Sequence, residues 1–204
     1  MRHPLSTRLA SLLLLVLAAG QAMAASADAV RTRLAAELDA NPVADARVKA
    51  FAKEHLLPVL GDEALVREVK AQNARKTPLA EIQAQDKAWI AAESELPIQK
   101  EKLSNPAAEA IRAIAKRLPA LREVFAMDDQ GANVGQNNLT SDYWQGDEDK
   151  WTKSFAAGAG GVDVGKAKFD KSANATLQQV SLPLIDADGA IVGAITFGIA
   201  LEAL

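Results

Sequence analysis

The stretch VSLPLIDADGAIVGAITFGI, residues 180–199, constrains this chain most tightly. Two β-favouring runs flank Asp186-Ala187-Asp188-Gly189, a tight-turn sequence in which the glycine supplies a positive φ. Two such runs either side of a short turn pair antiparallel. A lone hairpin is not stable in water, so further strands and a cover are required. The second half of the chain supplies them. Glu123–Met127 is a short apolar run, Asp128-Asp129-Gln130-Gly131 repeats the turn chemistry, and Ala132–Asn137 returns. Gly161–Phe169 and Leu177–Ile185 also read as strands, with Pro183 marking a bulge or an edge. Before both, after the strand that ends at Asn137, Asp147–Ala157 reads as a short helix with acids in its first turn, ended by Gly158.

The first half is helical. Val30, Leu34 and Leu38 share one helix face, and Asn41-Pro42 breaks the run. Val48, Phe51, Ala52, Leu56 and Val59 continue the stripe to Gly61, and Glu63–Ala74 carries Val66, Val69 and Asn73 on one side. Thr77-Pro78 predicts a helix start, followed by one long helix to about Leu103 with an irregularity at Pro97. Asn105-Pro106 starts the next helix, whose stripe is Ile111, Ile114, Ala115 and Leu118. A five-stranded antiparallel sheet with a bare face needs a lid, which the long helix supplies. The expected class is therefore α+β: helices over residues 25–118, including the long lid helix, packed on a sheet over residues 119–204 as one domain.

Residues 1–24 read as a secretory signal peptide. Arg2 and Arg8 precede the apolar run Leu9–Ala19, which is too short to span a bilayer, and Ala22-Met23-Ala24 is a small-residue cleavage site. Cleavage is expected after Ala24, into a periplasmic or secreted compartment. The chain carries 23 Lys+Arg against 26 Asp+Glu, a net charge of −3, and loses two arginines with the signal. That balance excludes nucleic-acid binding through a basic stripe. With no cysteine there is neither a disulfide framework nor thiol chemistry. His3 leaves with the signal, so His55 is the one remaining histidine; no catalytic set or metal-ligand spacing forms around it. The turn at Asp186 lacks the further oxygens and the glutamate of a calcium loop, and Phe occupies position 197. The chain is read as a non-enzyme with no metal and no cofactor.

The candidate recognition stretch is TSDYWQGDEDKW, Thr140–Trp151. It holds the only tyrosine and two of the three tryptophans. Adjacent Tyr143 and Trp144 cannot both face one core, and their neighbours are polar, so a pocket wall is the expected role. Thr140, Asp142, Gln145, Asp147 and Glu148 would supply hydrogen bonds or counter-charge. Trp151 and Phe155, four apart, read instead as helix anchors. Asn133, Gln136, Asn137 and Asn138 serve equally well as ligand-reading amides or as turn and surface residues. Asp86 on the Ile82–Trp89 stripe, and Asn73 on the Val66–Val69 stripe, place polar groups on apolar faces. They either enter the pocket or hold helix ends and loop amides, the latter being the commoner case.

Three segments together, VFAMDDQGANVGQN, TSDYWQGDEDKW and the 180–199 hairpin, resemble the single Cache family of extracellular sensor domains with a PAS-like sheet. The helical lead-in VKAQNARKTPLAEIQAQDKAW is similar to that of stand-alone relatives. The resemblance covers about residues 60–204. It implies a small-molecule pocket on the membrane-distal side, bounded by sheet and loop, and ligands such as small organic acids or amines. No membrane helix, kinase, cyclase or methyl-accepting module follows the last strand, so the expectation is a freely diffusing binding module lacking its own output domain. It would present a small polar metabolite to a membrane signalling protein. The alternative is an interaction protein that docks on such a partner without a ligand.

Overall fold

The structure is a computed structural model that describes residues 27–171 and 174–204. The expected signal peptide lies outside the described residues. Helix α1 covers residues 27–40 and buries Leu34 and Leu38. Asn41 turns the chain by accepting hydrogen bonds from the Val43 and Ala44 amides. Helix α2 (Ala46–Phe51) starts on Asp45, whose side chain accepts from the Arg47 amide. It runs into a π-helical stretch (Ala52–Leu56) and then a 3-10 stretch (Leu57–Gly61). Asp62 caps α3 (Glu63–Asn73) by accepting from the Ala64 and Leu65 amides.

The run expected as one long helix is two: α4 (Leu79–Ile90) and α5 (Pro97–Ser104). Pro97 opens α5 from its first turn, and the Gln99 side chain accepts from the Leu96 amide at 2.8 Å. Thr77 does not cap α4; Pro78 holds that position, and the Thr77 carbonyl accepts from the Gln130 side chain. Asn105 does cap α6 (Pro106–Arg117), accepting from the Ala108 amide.

The strands are β1 (Leu121–Met127), β2 (Asn133–Gln136), β3 (Asp163–Val164), β4 (Lys168–Asp170), β5 (Ala175–Ile185) and β6 (Ile191–Ala200). Helix α7 (Asp149–Phe155) lies between β2 and β3. The sheet is antiparallel, in the order β2-β1-β6-β5-β3, with β4 also on β5. The expected fifth strand is thus broken at residues 165–167 into two short pieces on the same edge. Pro183 pairs with Ala194 on β6 and stands beyond the end of β3, where its missing N–H breaks no ladder. Both expected turns form, with Gly131 at φ 85° and Gly189 at φ 82°.

One face of the sheet is dry. Val124, Ala126, Val180, Leu182, Ile195, Phe197 and Ile199 pack with Leu34, Leu38, Leu56, Leu65, Val69, Ile111 and Ile114 from the N-terminal helices. The other face carries α7, whose Trp151 and Phe155 stack at 5.2 Å over Phe125 and Met127. Both aromatics are therefore anchors, as their spacing implied, and the Trp151 indole donates to the Asp128 carbonyl.

Candidate functional site

Cross-strand partners share a sheet face. Gln136, Phe125, Thr196 and Ser181 are consecutive partners across β2, β1, β6 and β5, so they form one row on the α7 side. Three of the four are polar and all are buried. Ser181 and Thr196 satisfy each other at 2.9 Å. Gln136 instead joins a cluster formed where the chain after β2 folds back over that strand.

Four of the expected site residues meet there. The Asn133 amide nitrogen donates to the Thr140 hydroxyl (2.9 Å), the Asp142 carbonyl (3.2 Å) and the Gln136 side-chain oxygen (3.3 Å). The Thr140 hydroxyl lies 2.7 Å from the Asp142 carbonyl and 3.0 Å from Gln136 Oε1. Gln145 donates to the Asp142 carboxylate, and its own oxygen accepts from Lys150 Nζ at 3.0 Å. Lys150 pairs with Glu148 at 2.9 Å and sits 5.6 Å from the Phe125 ring centroid. Within this layer two buried atoms have no partner: Asn133 Oδ1, an acceptor, and Gln136 Nε2, a donor. Both residues are fully buried.

Helix α4 latches the loop from outside. One Asp86 oxygen accepts from the Tyr143 amide (2.8 Å) and the Trp144 amide (3.0 Å). The Trp89 indole donates to the Thr140 carbonyl at 3.0 Å, and its ring lies 5.7 Å from that of Tyr143. On the inner side the loop pairs with the β1–β2 turn: Asn133 N to the Tyr143 carbonyl (2.9 Å), Gln145 N to the Gly131 carbonyl (2.8 Å), and the Trp144 indole to the Gln130 carbonyl (2.7 Å). Gly131 is required here, because a Cβ on it would stand 2.5 Å from Gly146 Cα.

Several expected ligand contacts have other tasks. Asp86 holds loop amides. Asn73 donates to the Val192 carbonyl and accepts from the Asp129 amide, tying α3 to β6 and the turn. Asn137 extends the β1–β2 ladder with its side chain, accepting from the Val124 amide and donating to the Arg122 carbonyl. Trp144 is half-buried with its N–H occupied, Asp147 is exposed, and Glu148 spends its charge on Lys150. Tyr143 is buried in a small cluster with Ile82, Trp89 and Ala132. It also borders a cleft of about 640 Å³ between α3, α4 and α5. Burial, then the nearby charges of Asp128 and Glu101, push its hydroxyl well above the usual phenol range.

Two important residues were misplaced or missed in the sequence. The buried polar position on α3 is Gln72, not its neighbour Asn73. Its signal was present, since Leu65, Val69 and Gln72 are spaced four and three. Buried Lys102 follows Ile98 by four on α5 in the same way. Among the described residues, no group of three or more His, Asp or Glu side chains is placed to hold a metal ion.

No protein-family model matches this chain, and no curated protein does. Among solved structures, the sensor domain of the V. cholerae histidine kinase DctB superposes with a TM-score of 0.44 at 15% identity, over 90% of this chain and 58% of that one. The ligand-binding domain of the Campylobacter jejuni chemoreceptor Tlp3, in complex with L-valine, gives 0.36 at 14% identity, over 75% and 64%. An extracellular ligand binding receptor from Desulfohalobium retbaense gives 0.35 at 13% identity, over 73% and 26%. This chain thus spans less than two thirds of each of those three chains. With likenesses of this extent, the functional reading rests on the chain's own geometry.

Proposed function

We propose that this chain is a sensor-type small-molecule-binding module of the periplasm or the secreted fraction. Its ligand would sit between β2 and the loop of residues 140–148. The observation that carries this reading is the unpartnered pair Asn133 Oδ1 and Gln136 Nε2. Buried polar atoms nearly always find partners, so an acceptor and a donor left together in one buried layer call for an explanation. A ligand offering a hydroxyl or amine beside a carbonyl or carboxyl oxygen answers both. Thr140, Asp142 and Gln145 would exchange some of their internal bonds for it, and Lys150 stands one bond away. Entry requires the loop to lift from α4, so the Asp86–Tyr143–Trp144 latch is the element that a bound ligand would bias. A ligand shifts only states that it binds differently. A membrane signalling partner would read the latch, and the output would lie in that partner.

Thermal melts of the unfolded and refolded protein against small acids, amines and amino acids test this. At a hundred times its Kd a ligand adds about 2.7 kcal/mol of stability. The shift should vanish in Gln136→Leu while the protein stays folded. A flat panel on folded protein would return the chain to the interaction reading and set a search for a protein partner.

A further inference from the structure

Exposed charge is sorted along the strands. Both Asp-Gly turns lie at one end of the sheet, and exposed Asp129 and Asp188 mark that end. At the opposite end Leu121 pairs with Ile199, and Leu177 with Ala200. Basic side chains gather there. Lys116 and Arg117 finish α6, and Arg122 follows the first residue of β1. Lys166 stands in the broken edge, Lys168 opens β4 and Lys171 follows it. All six are exposed and form no ion pair among the described residues. Glu123, Asp170 and Glu202 lie among them. Glu123 accepts from the Gln179 side chain at 2.8 Å, Glu202 accepts from the Thr176 amide at 2.9 Å, and Asp170 is engaged as well. Arg47 and Asp45 also lie here and pair with each other. The six cations thus stand against those three acids, in a chain whose net charge is −3. Two large apolar side chains are exposed at the same end: Phe169, between Lys168 and Asp170, is 56% exposed, and Leu139 is 48% exposed. Leu139, Arg122 and Asp170 line one opening of about 510 Å³, and Lys166 and Lys168 line the groove that continues it past Glu123 and Leu177.

We propose that this end of the sheet is a docking surface for an anionic lipid bilayer. Phe169 and Leu139 enter the headgroup layer, and the six cations lie against lipid phosphates. Attraction of the basic end and repulsion of the acidic turns fix one orientation, although the chain as a whole is negative. The turn Asp128–Gly131 and the loop segment paired with it then face away from the lipid. Docking needs no ligand beneath that loop, so the two sites fail or stand separately.

The test is co-sedimentation with vesicles of phosphatidylcholine alone or mixed equally with phosphatidylglycerol. The chain used begins at Ala25, so that the apolar run Leu9–Ala19 cannot bind lipid by itself. Binding to the mixed vesicles should be tighter by about tenfold or more, and added salt should release the protein. Lys166→Gln combined with Lys168→Gln should weaken it by about twentyfold, since each cation beside an anionic surface contributes about fivefold. Phe169→Ser should weaken it several-fold, and Asp188→Asn, at the opposite end, should leave it unchanged. All four positions are exposed, so each variant should melt with the unaltered chain. The proposal is overturned if neither vesicle binds, if pure phosphatidylcholine binds as well, or if the lysine variant binds like the unaltered chain. Binding that the lysine variant loses but Phe169→Ser and Leu139→Ser both keep would overturn it too, because charge alone would then hold the protein at the surface.

Discussion

The two faces of the sheet are built from the same strands and do opposite things. On the helix-covered face, the core positions of β1, β5 and β6 are apolar and closed against α1, α2, α3 and α6. On the α7 face, the row Gln136, Phe125, Thr196, Ser181 alternates apolar contact with hydrogen bonding, and it ends in a layer that leaves two buried atoms, Asn133 Oδ1 and Gln136 Nε2, without partners. Apolar burial is concentrated on the first face, and the candidate site lies on the second. A fold arranged this way can carry an incompletely bonded layer because the other face holds the strands in place.

The sharpest way to break the contrast is Phe197→Ala on the dry face. Loss of a fully buried aromatic ring should cost about 3–5 kcal/mol and lower the denaturant midpoint of the whole molecule. Asp86→Ala acts on the latch alone. It removes the acceptor of two amides and should cost about 1.5–3 kcal/mol. Hydrogen exchange should then rise at Tyr143 and Trp144 while β5 and β6 keep their protection; equal loss in the sheet would show that the two regions are not separable. A smaller effect comes from Tyr143 itself. Its folded-state acidity is weaker than in the unfolded chain, where the phenol titrates near 10.0. Its contribution is therefore intact below pH 10 and declines above it, by up to about 1.4 kcal/mol per pH unit. Tyr143→Phe should remove that part of the alkaline slope in melts between pH 9 and 11.

Local chemistry was legible where one segment determines its own shape. The Asp-Gly turns, the Asn105-Pro106 start, the Trp151–Phe155 anchor and the succession of strands along the chain all follow from short-range signals. The division of the expected lid helix at residues 91–96 did not, because Ala91, Ala92 and Glu93 are good helix formers and only the Gln99–Leu96 bond and Pro97 enforce a new start; nor did its place, since α1, α2, α3 and α6 cover the sheet while α4 packs on the loop through Ile82 and Trp89. The candidate site was half legible. Asn133, Thr140, Asp142 and Gln145 do converge, since they lie close in sequence. Whether Asp86 faces a ligand or the Tyr143 amide depends on a contact spanning 57 residues, which no local pattern encodes.

The sheet also stops growing at both sides. At β2 the outward groups are already used: Asn133 N by the Tyr143 carbonyl and the Val134 carbonyl by Asn105. At the other side the two short pieces β3 and β4 interrupt the edge, with exposed Lys166 in the break and Lys168 just after it. An edge that is short, broken and lysine-bearing is a poor template for a strand from another molecule. The break in this edge strand therefore guards against edge-to-edge aggregation.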